Sequence, residues 1–408
     1  MRSVSLTLDN GMRIFIYPAK HLESVCAVVG VRYGMVDDAP RIGGTCHYLE
    51  HMIFKGTKRR SAKEIKDEAT AMGAEHNATT GAESTLYYIH GYKDYVRRML
   101  DLLADTLTNT LFSEKAFELE RGPMLNERLG RLDNTMYFLY DNLTKVLYRK
   151  HPVGRVSETE RTIRRITLED VVLAYKRYYC PANMVLTIYG NVDMDVIKQL
   201  VARYFGGFHR KYVPTRRRIA REIQRGRSVT MYRRNLKRAI IGIGFKCREF
   251  EYRRTREFLA LNVLMRVLSE RLFDEVRERR GLSYDPVATY ESYNGFAFIA
   301  AQAGAEPDKV GITKSVMLDE LRKLQDGKIT AEEYKRARRA TSIYYTMLRE
   351  NSLQMAYTTT MLTLLTGDHM FVYKMPSIMR GVRLRDVVEY ARRYIDVDNC
   401  STLILKPR

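Results

Sequence analysis

The chain has 408 residues, 45% of them apolar, and carries 69 Lys and Arg against 48 Asp and Glu, a formal net charge of +21. That length accommodates two domains with full cores and that apolar content excludes a disordered chain. No run of about 18 apolar residues is present, which excludes helical membrane spans.

Val4–Leu8 and Arg13–Tyr17 flank Asp9-Asn10-Gly11, a hairpin signal. Ser24 to Tyr33 reads as a long strand. Gly43-Gly44-Thr45 then opens a short helix with Thr45 as its expected N-cap. Leu49, Met52 and Ile53 form its buried stripe, His47, Glu50 and His51 lie on another face, and Gly56 stops it. His47-Tyr-Leu-Glu-His51 places two imidazoles and a carboxylate at i, i+3 and i+4. Two neutral imidazoles four apart suit a zinc ion, and the carboxylate between them can take a proton from a water that the metal activates. The order H-x-x-E-H is that of the inverted zincins. Cys46 is set aside as a ligand, because its side chain points off the ligand face.

Ser61-Ala-Lys-Glu64 is a capping box opening a helix that stops near Gly73. Ser84–His90 is a further strand, and Tyr95–Leu107 has helical apolar periodicity. Ser113 caps a helix through Glu127, on which Glu120 and Glu127 are two turns apart and share a face. Either can supply a third metal ligand and the other can orient a ligand; the spacing does not choose between them. Gly122-Pro123 is expected to kink this helix. Met184–Tyr189 closes the first half.

A repeat follows. Leu168–Val172, Arg177-Tyr178 and Asn183 match Leu384–Val388, Arg393-Tyr394 and Asn399, with 384 − 168 = 216 and 399 − 183 = 216. Ala27–Val31 matches Ala239–Ile243, with 239 − 27 = 212. So long a period indicates duplicated domains. Opposite His47–His51 the second copy has Leu259-Ala-Leu-Asn-Val263, which cannot bind a metal. The expected fold is α+β: two homologous domains, each a mainly antiparallel sheet covered by helices on one face. The expected division is a catalytic domain over 1–208, a basic linker over 209–228 and a degenerate copy over 229–408.

Arg and Lys cluster from Arg210 to Arg238 with only Glu222 opposing them. The stretch reads as a solvated basic linker and first strand, since no nucleic-acid-binding signature accompanies it. The Met-rich runs Met347–Met361 and Met370–Met379 read as helical core. The remaining His are isolated, with His76 the one to watch. Cys26, Cys46, Cys180, Cys247 and Cys400 are scattered, as expected of reduced thiols in a cytoplasmic protein. Met1–Asn10 lacks the apolar core of a signal peptide and turns at once into strand-like text, so neither a leader nor a transit peptide is expected.

Gly44–Thr57, with Glu127 placed 76 residues after His51, resembles the H-x-x-E-H…E signature of the pitrilysin family of zinc peptidases, in its short two-domain, processing-peptidase-like form. The resemblance runs from Leu8–Arg13 to the C-terminal strand. It implies one zinc ion per chain on His47, His51 and Glu127, with Glu50 as catalytic base and Glu120 as supporting carboxylate. Asn77, Ala78, Thr79 and Thr80, with Thr85 and Tyr87, resemble the edge strand that pairs with extended substrate. Arg277-Glu-Arg-Arg-Gly-Leu-Ser-Tyr284 resembles the second-domain element whose Arg277 and Tyr284 help hold the substrate. Family members enclose a chamber with four such domains, so a two-domain chain is expected to dimerise with itself, or with a related chain. The expected activity is zinc-dependent cleavage of extended peptides. The alternatives are a non-catalytic scaffold subunit and a basic nucleic-acid-binding protein.

Overall fold

A computed structural model describes residues 3–156, 158–210, 221–234, 236–293 and 295–408. Six strands of the first half, β1 (Val4–Thr7), β2 (Arg13–Pro18), β3 (Ser24–Val31), β4 (Glu75–Thr80), β5 (Thr85–Tyr92) and β6 (Met184–Gly190), form one sheet in the order β1-β2-β6-β3-β5-β4. Five strands of the second half, β7 (Arg227–Arg233), β8 (Ala239–Cys247), β9 (Val287–Ser292), β10 (Ala297–Ala305) and β11 (Ser401–Pro407), form another in the order β7-β11-β8-β10-β9. Without β1 the two orders coincide, and in each sheet one pair is parallel, β2 with β6 and β7 with β11. The duplication seen in the sequence is therefore a duplication of topology. The chain is mixed α and β in two homologous halves.

The sequence of β3, Ser-Val-Cys-Ala-Val-Val-Gly-Val, is apolar on both faces because both faces are covered. Val25, Ala27, Val29 and Val31 join a core with Leu49, Leu103, Val171 and Val201 from four helices on one side of the sheet. The expected helices on one face are present, but the other face is covered as well. The other side carries Gly30, and a Cβ there would lie 2.6 Å from Thr360 Cγ2 and 2.7 Å from Leu364 Cδ1. Both belong to the helix Ser352–Thr366, which packs along β3 and β6 although it comes from the far end of the chain. The second sheet has the reciprocal arrangement. Gly242, 212 residues after Gly30, faces Leu139, and Gly244 faces Leu147, both on the helix Thr135–Leu147 from the first half.

Accordingly the two compact units are discontinuous in sequence. Unit 1 comprises Met1–Arg128, Val156–Arg217 and Met347–Val372; unit 2 comprises Leu129–Arg155, Arg218–Thr346 and Tyr373–Arg408. This division differs from the expected contiguous one by the two exchanged segments. Most of the expected linker, 211–220, lies outside the described residues. Parts of the basic stretch on either side of it have structural duties. Arg210 stacks over the Tyr175 ring at 4.1 Å and Arg233 over Phe138 at 4.9 Å. Glu222 accepts the backbone N–H groups of Arg149, Lys150 and His151 at 3.1, 2.6 and 2.6 Å. No helix among the described residues is long and apolar enough to cross a membrane.

Candidate metal centre

The motif lies on the helix Thr45–Ile53 in unit 1. Its N-cap is Gly44, at φ +103°, and not Thr45, whose hydroxyl donates back to the Ile42 carbonyl at 2.7 Å. The orphan N–H groups of the first turn find their acceptor upstream instead. The buried Asp38 accepts from Gly44 N at 2.9 Å and from Cys46 N at 3.2 Å, and Tyr33 donates its hydroxyl to the same carboxylate at 2.6 Å. Burial pushes the Asp38 carboxyl up to about 6, against the pull of these hydrogen bonds. Glycine at 44 is required twice over: by its left-handed φ, and because a Cβ would meet Glu158 Cγ at 2.9 Å. Cys46 is buried beside Asp38, off the ligand face.

The helix Glu114–Asp133 brings Glu120 and Glu127 to the motif and continues through Pro123. The hydrogen bond that the proline forgoes would have gone to the carbonyl of Leu119, a residue on the solvent side. Glu127 lies 3.4 Å from His47 Nε2 and 3.3 Å from His51 Nε2, and the two Nε2 atoms are 3.1 Å apart. The ligand atoms of His47, His51 and Glu127 all fall within 4.8 Å of one another.

Each imidazole is oriented from behind. His47 Nδ1 donates to Glu158 Oε2 at 3.0 Å, and His51 Nδ1 donates to Glu120 Oε1 at 2.8 Å. A carboxylate only accepts, so both ring protons sit on Nδ1 and both Nε2 atoms present lone pairs. In the neutral rings two lone pairs and a carboxylate thus converge, an arrangement that calls for a cation, either a metal ion or a proton. Ligand atoms about 2.0–2.1 Å from a tetrahedral zinc stand about 3.4 Å apart, which matches the spacings here. The residues therefore fit a zinc ion. Burial opposes a charge on His51, but its bonds to Glu120 and Glu127 outweigh burial and raise its pKa. Glu120 is likewise desolvated, yet His51 and an ion pair with Lys55 hold it below the usual carboxylate range.

Glu50, half-buried on the same helix, accepts the hydroxyl of Thr80 at the end of β4. Asn77, Ala78 and Thr79 lie on that strand, at the open edge of the sheet. Their exposure alternates, with Ala78 turned inward and Asn77 and Thr79 outward. His76, on the same strand, is not part of the cluster. Its Nε2 is buried without a hydrogen-bond partner, its ring meets Phe54 edge-on at 5.0 Å, and burial pushes its pKa down to about 4. Arg277 and Tyr284 belong to unit 2 and sit together there. The guanidinium donates to the Tyr284 carbonyl at 3.2 Å and lies 4.2 Å from the ring centre.

Three residues of the centre escaped the sequence reading: Glu158, Asp38 and Lys55. Glu158 precedes the short helix Glu160–Arg165 and belongs to no spacing pattern, so nothing local marks it. Lys55 was visible as the residue four after His51, one helical turn on, but nothing tied it to Glu120.

The second copy has a cleft at the corresponding place without the ligands. Leu259, Ala260, Leu261 and Val263 are core residues of the helix Thr255–Leu272. Asn262 stands 212 after Glu50. The caps Ser113 and Thr330 differ by 217, which puts Tyr344 opposite Glu127 and Ala337 opposite Glu120. Asn262 and Tyr344 line a cavity of about 820 Å³ together with Thr289 and Tyr290 of β9.

Residues 15–160 match the family model described as Insulinase (Peptidase family M16), and residues 165–341 match Peptidase M16 inactive domain. An uncharacterized zinc protease of Mycobacterium tuberculosis is 32% identical over 341 residues, covering 80% of this chain and 76% of its own. One from Bacillus subtilis is 27% identical over 400 residues, covering 98% and 97%. The crystal structure of a protease from Helicobacter pylori superposes with a TM-score of 0.92 at 22% identity, covering 100% of this chain and 99% of its own. A putative M16-like peptidase from Alicyclobacillus acidocaldarius gives 0.88 at 22% identity, covering 100% and 98%. At such identities these two structures speak for the fold.

Proposed function

Since the chain belongs to peptidase family M16, we propose that it is a zinc-dependent endopeptidase acting on extended or unfolded peptides. The observation that carries this reading is the convergence of His47 Nε2, His51 Nε2 and Glu127 on one point, with Glu50 on the same helix. His47, His51 and Glu127 would hold one zinc ion per chain. When bound, zinc supplies Lewis acidity, lowering the pKa of water and polarising a carbonyl. Glu158 and Glu120 keep both imidazoles in the ligating tautomer. Glu50 takes the proton of the attacking water and returns it to the leaving amine. Its bond from Thr80 ties that carboxylate to the strand on which substrate is held. The free edge of β4 receives the peptide backbone as an added strand, with Asn77, Ala78 and Thr79 along the contact. Main-chain pairing of this kind tolerates many sequences.

Arg277 and Tyr284 form the second contact with substrate, in the working assembly of two chains around a closed chamber. The presence of both elements in one chain supports a homodimer, with a related chain as the alternative partner, and size measurement at micromolar concentration tests it: active monomer alone would overturn this part. Five free thiols support a reducing, cytoplasmic compartment.

The test of the activity is cleavage of a mixture of unstructured peptides by wild type and Glu50→Gln, with zinc measured in both. Turnover is expected to fall about 100- to 10,000-fold in the variant, with zinc retained. Zinc-loaded wild type without turnover would sink the peptidase reading in favour of a scaffold subunit.

A further inference from the structure

His51 is the more exposed of the two imidazoles, at 18% against 2% for His47. With less packing around its ring, its orientation leans more on the hydrogen bond from Nδ1 to Glu120 Oε1 at 2.8 Å. That bond aims the ring only if the carboxylate is itself held. The last torsion of a glutamate is broad, so a carboxylate tied through one oxygen still swings. The other oxygen of Glu120, Oε2, forms an ion pair with Lys55 Nζ. With both oxygens engaged, the plane and direction of the carboxylate are fixed. Glu120 is buried, so this charge-assisted contact is little weakened by water.

The backbone places Lys55 without help from the ion pair. Its N–H donates to the Met52 carbonyl at 3.1 Å, which continues the last turn of the helix Thr45–Ile53. Gly56, at φ +130°, then turns the chain, and its carbonyl accepts from Leu111 N at 2.9 Å, shortly before the helix Glu114–Asp133 begins. Lys58 N donates to the Asn109 carbonyl at 3.1 Å. Tyr48 donates its hydroxyl to the Phe117 carbonyl at 2.6 Å and stacks on the Phe117 ring at 4.5 Å. The two helices are therefore docked by backbone bonds and a ring pair, and the Lys55 charge is not needed for that.

The second copy offers an internal comparison. Val267 stands 212 after Lys55, and Ala337 stands opposite Glu120. Both are buried core residues. The cation and the carboxylate are missing together, in the copy that also lacks the ligands.

We propose that Lys55 is a positioning residue of the metal centre. By holding Glu120 Oε2 it fixes the carboxylate that aims His51 Nε2, and so it sets the affinity for zinc. Lys55 acts through Glu120 and His51 and is no ligand itself. The inference rests on the zinc-peptidase reading for the identity of the metal, but it concerns metal affinity and is tested without turnover.

The test is zinc affinity, by competition with a chelator, in full-length wild type, K55M, K55R, E120Q and the K55M/E120Q double variant. K55M keeps the apolar stem and removes the charge, and it is expected to weaken zinc binding about tenfold. K55R supplies another cation to the same carboxylate and is expected to stay within about threefold of wild type. The double variant decides the route. If Lys55 works through Glu120, K55M costs nothing further once the carboxylate is gone, and K55M/E120Q binds zinc no more weakly than E120Q. K55M that binds zinc like wild type overturns the proposal, and so do losses that multiply in the double variant. Zinc-free K55M is expected to melt with wild type, and its unfolding without zinc would overturn the proposal in favour of a structural role. Wild type that binds no zinc would sink the metal centre and this inference together. Zinc bound with the pattern above, but no peptide cleaved, would sink the peptidase reading alone.

Discussion

His47 keeps its Nε2 lone pair aimed at the metal position only while its Nδ1–H has a carboxylate to donate to, and Glu158 is that carboxylate. Glu158→Gln is therefore expected to weaken zinc binding about 10- to 100-fold, with little change in fold, as read by competition with a chelator. His76 makes a different prediction. Its folded pKa of about 4 lies below the ordinary 6.5, so the unfolded chain binds the extra proton between those values. Its contribution is fully present above pH 6.5 and is lost as pH falls toward 4. Urea midpoints at pH 7 and pH 5 check this, and His76→Gln should reduce the difference without abolishing it, because burial pushes His151 down to about 4 as well. The arginine-paired Glu333, held down at about 2, acts only in stronger acid, so the windows separate. At this scale the sequence was legible where chemistry has a period. His47, Glu50 and His51 announce themselves by spacing, whereas Glu120 and Glu127 share a face and only the family resemblance chooses between them. Glu158 and Asp38 act across gaps of 111 and 8 residues, and no spacing rule reaches them.

Among the elements, the strands and helices of the first half follow their patterns closely. The hairpin at Asp9–Gly11, the capping box at Ser61 and the apolar run of β3 all form where alternation and turn chemistry put them. What the pattern could not supply is the partner of a helix face. Ser352–Thr366 reads as a Met-rich apolar helix, and apolarity says that it is buried but not against which sheet. The clue lies in the glycines at 30 and 242, one repeat apart, each opening a groove for a helix from the other half. Gly30→Ala would drive a Cβ against Thr360 and Leu364 and should cost about 1–3 kcal/mol. Gly242→Ala meets only the ends of Leu139, at 3.3 Å, and should cost less. Thermal melts of the two variants give the order, and equal effects would show that the exchanged helix is not tightly seated.

For the molecule as a whole, the exchange couples the halves. Met355, Leu362 and Leu364 are buried in unit 1. At about 1.5–3 kcal/mol per side chain they contribute roughly 5–9 kcal/mol, comparable with the whole stability of a domain. A fragment ending at residue 208 contains His47, Glu50, His51 and Glu127 but not that helix. It is expected to be insoluble or unfolded alone and to regain structure when residues 209–408 are supplied in trans, as circular dichroism would show. The same arrangement sets a timetable during synthesis. The first sheet must wait for the ribosome to make residue 366, 158 residues after 208, which takes about 8–30 s at ordinary elongation rates. Throughout that interval the nascent chain holds His47, His51 and Glu127 but lacks one wall of its sheet. A chain broken off early would lack that wall, and is expected to behave as unfolded protein and not as a free-standing first domain.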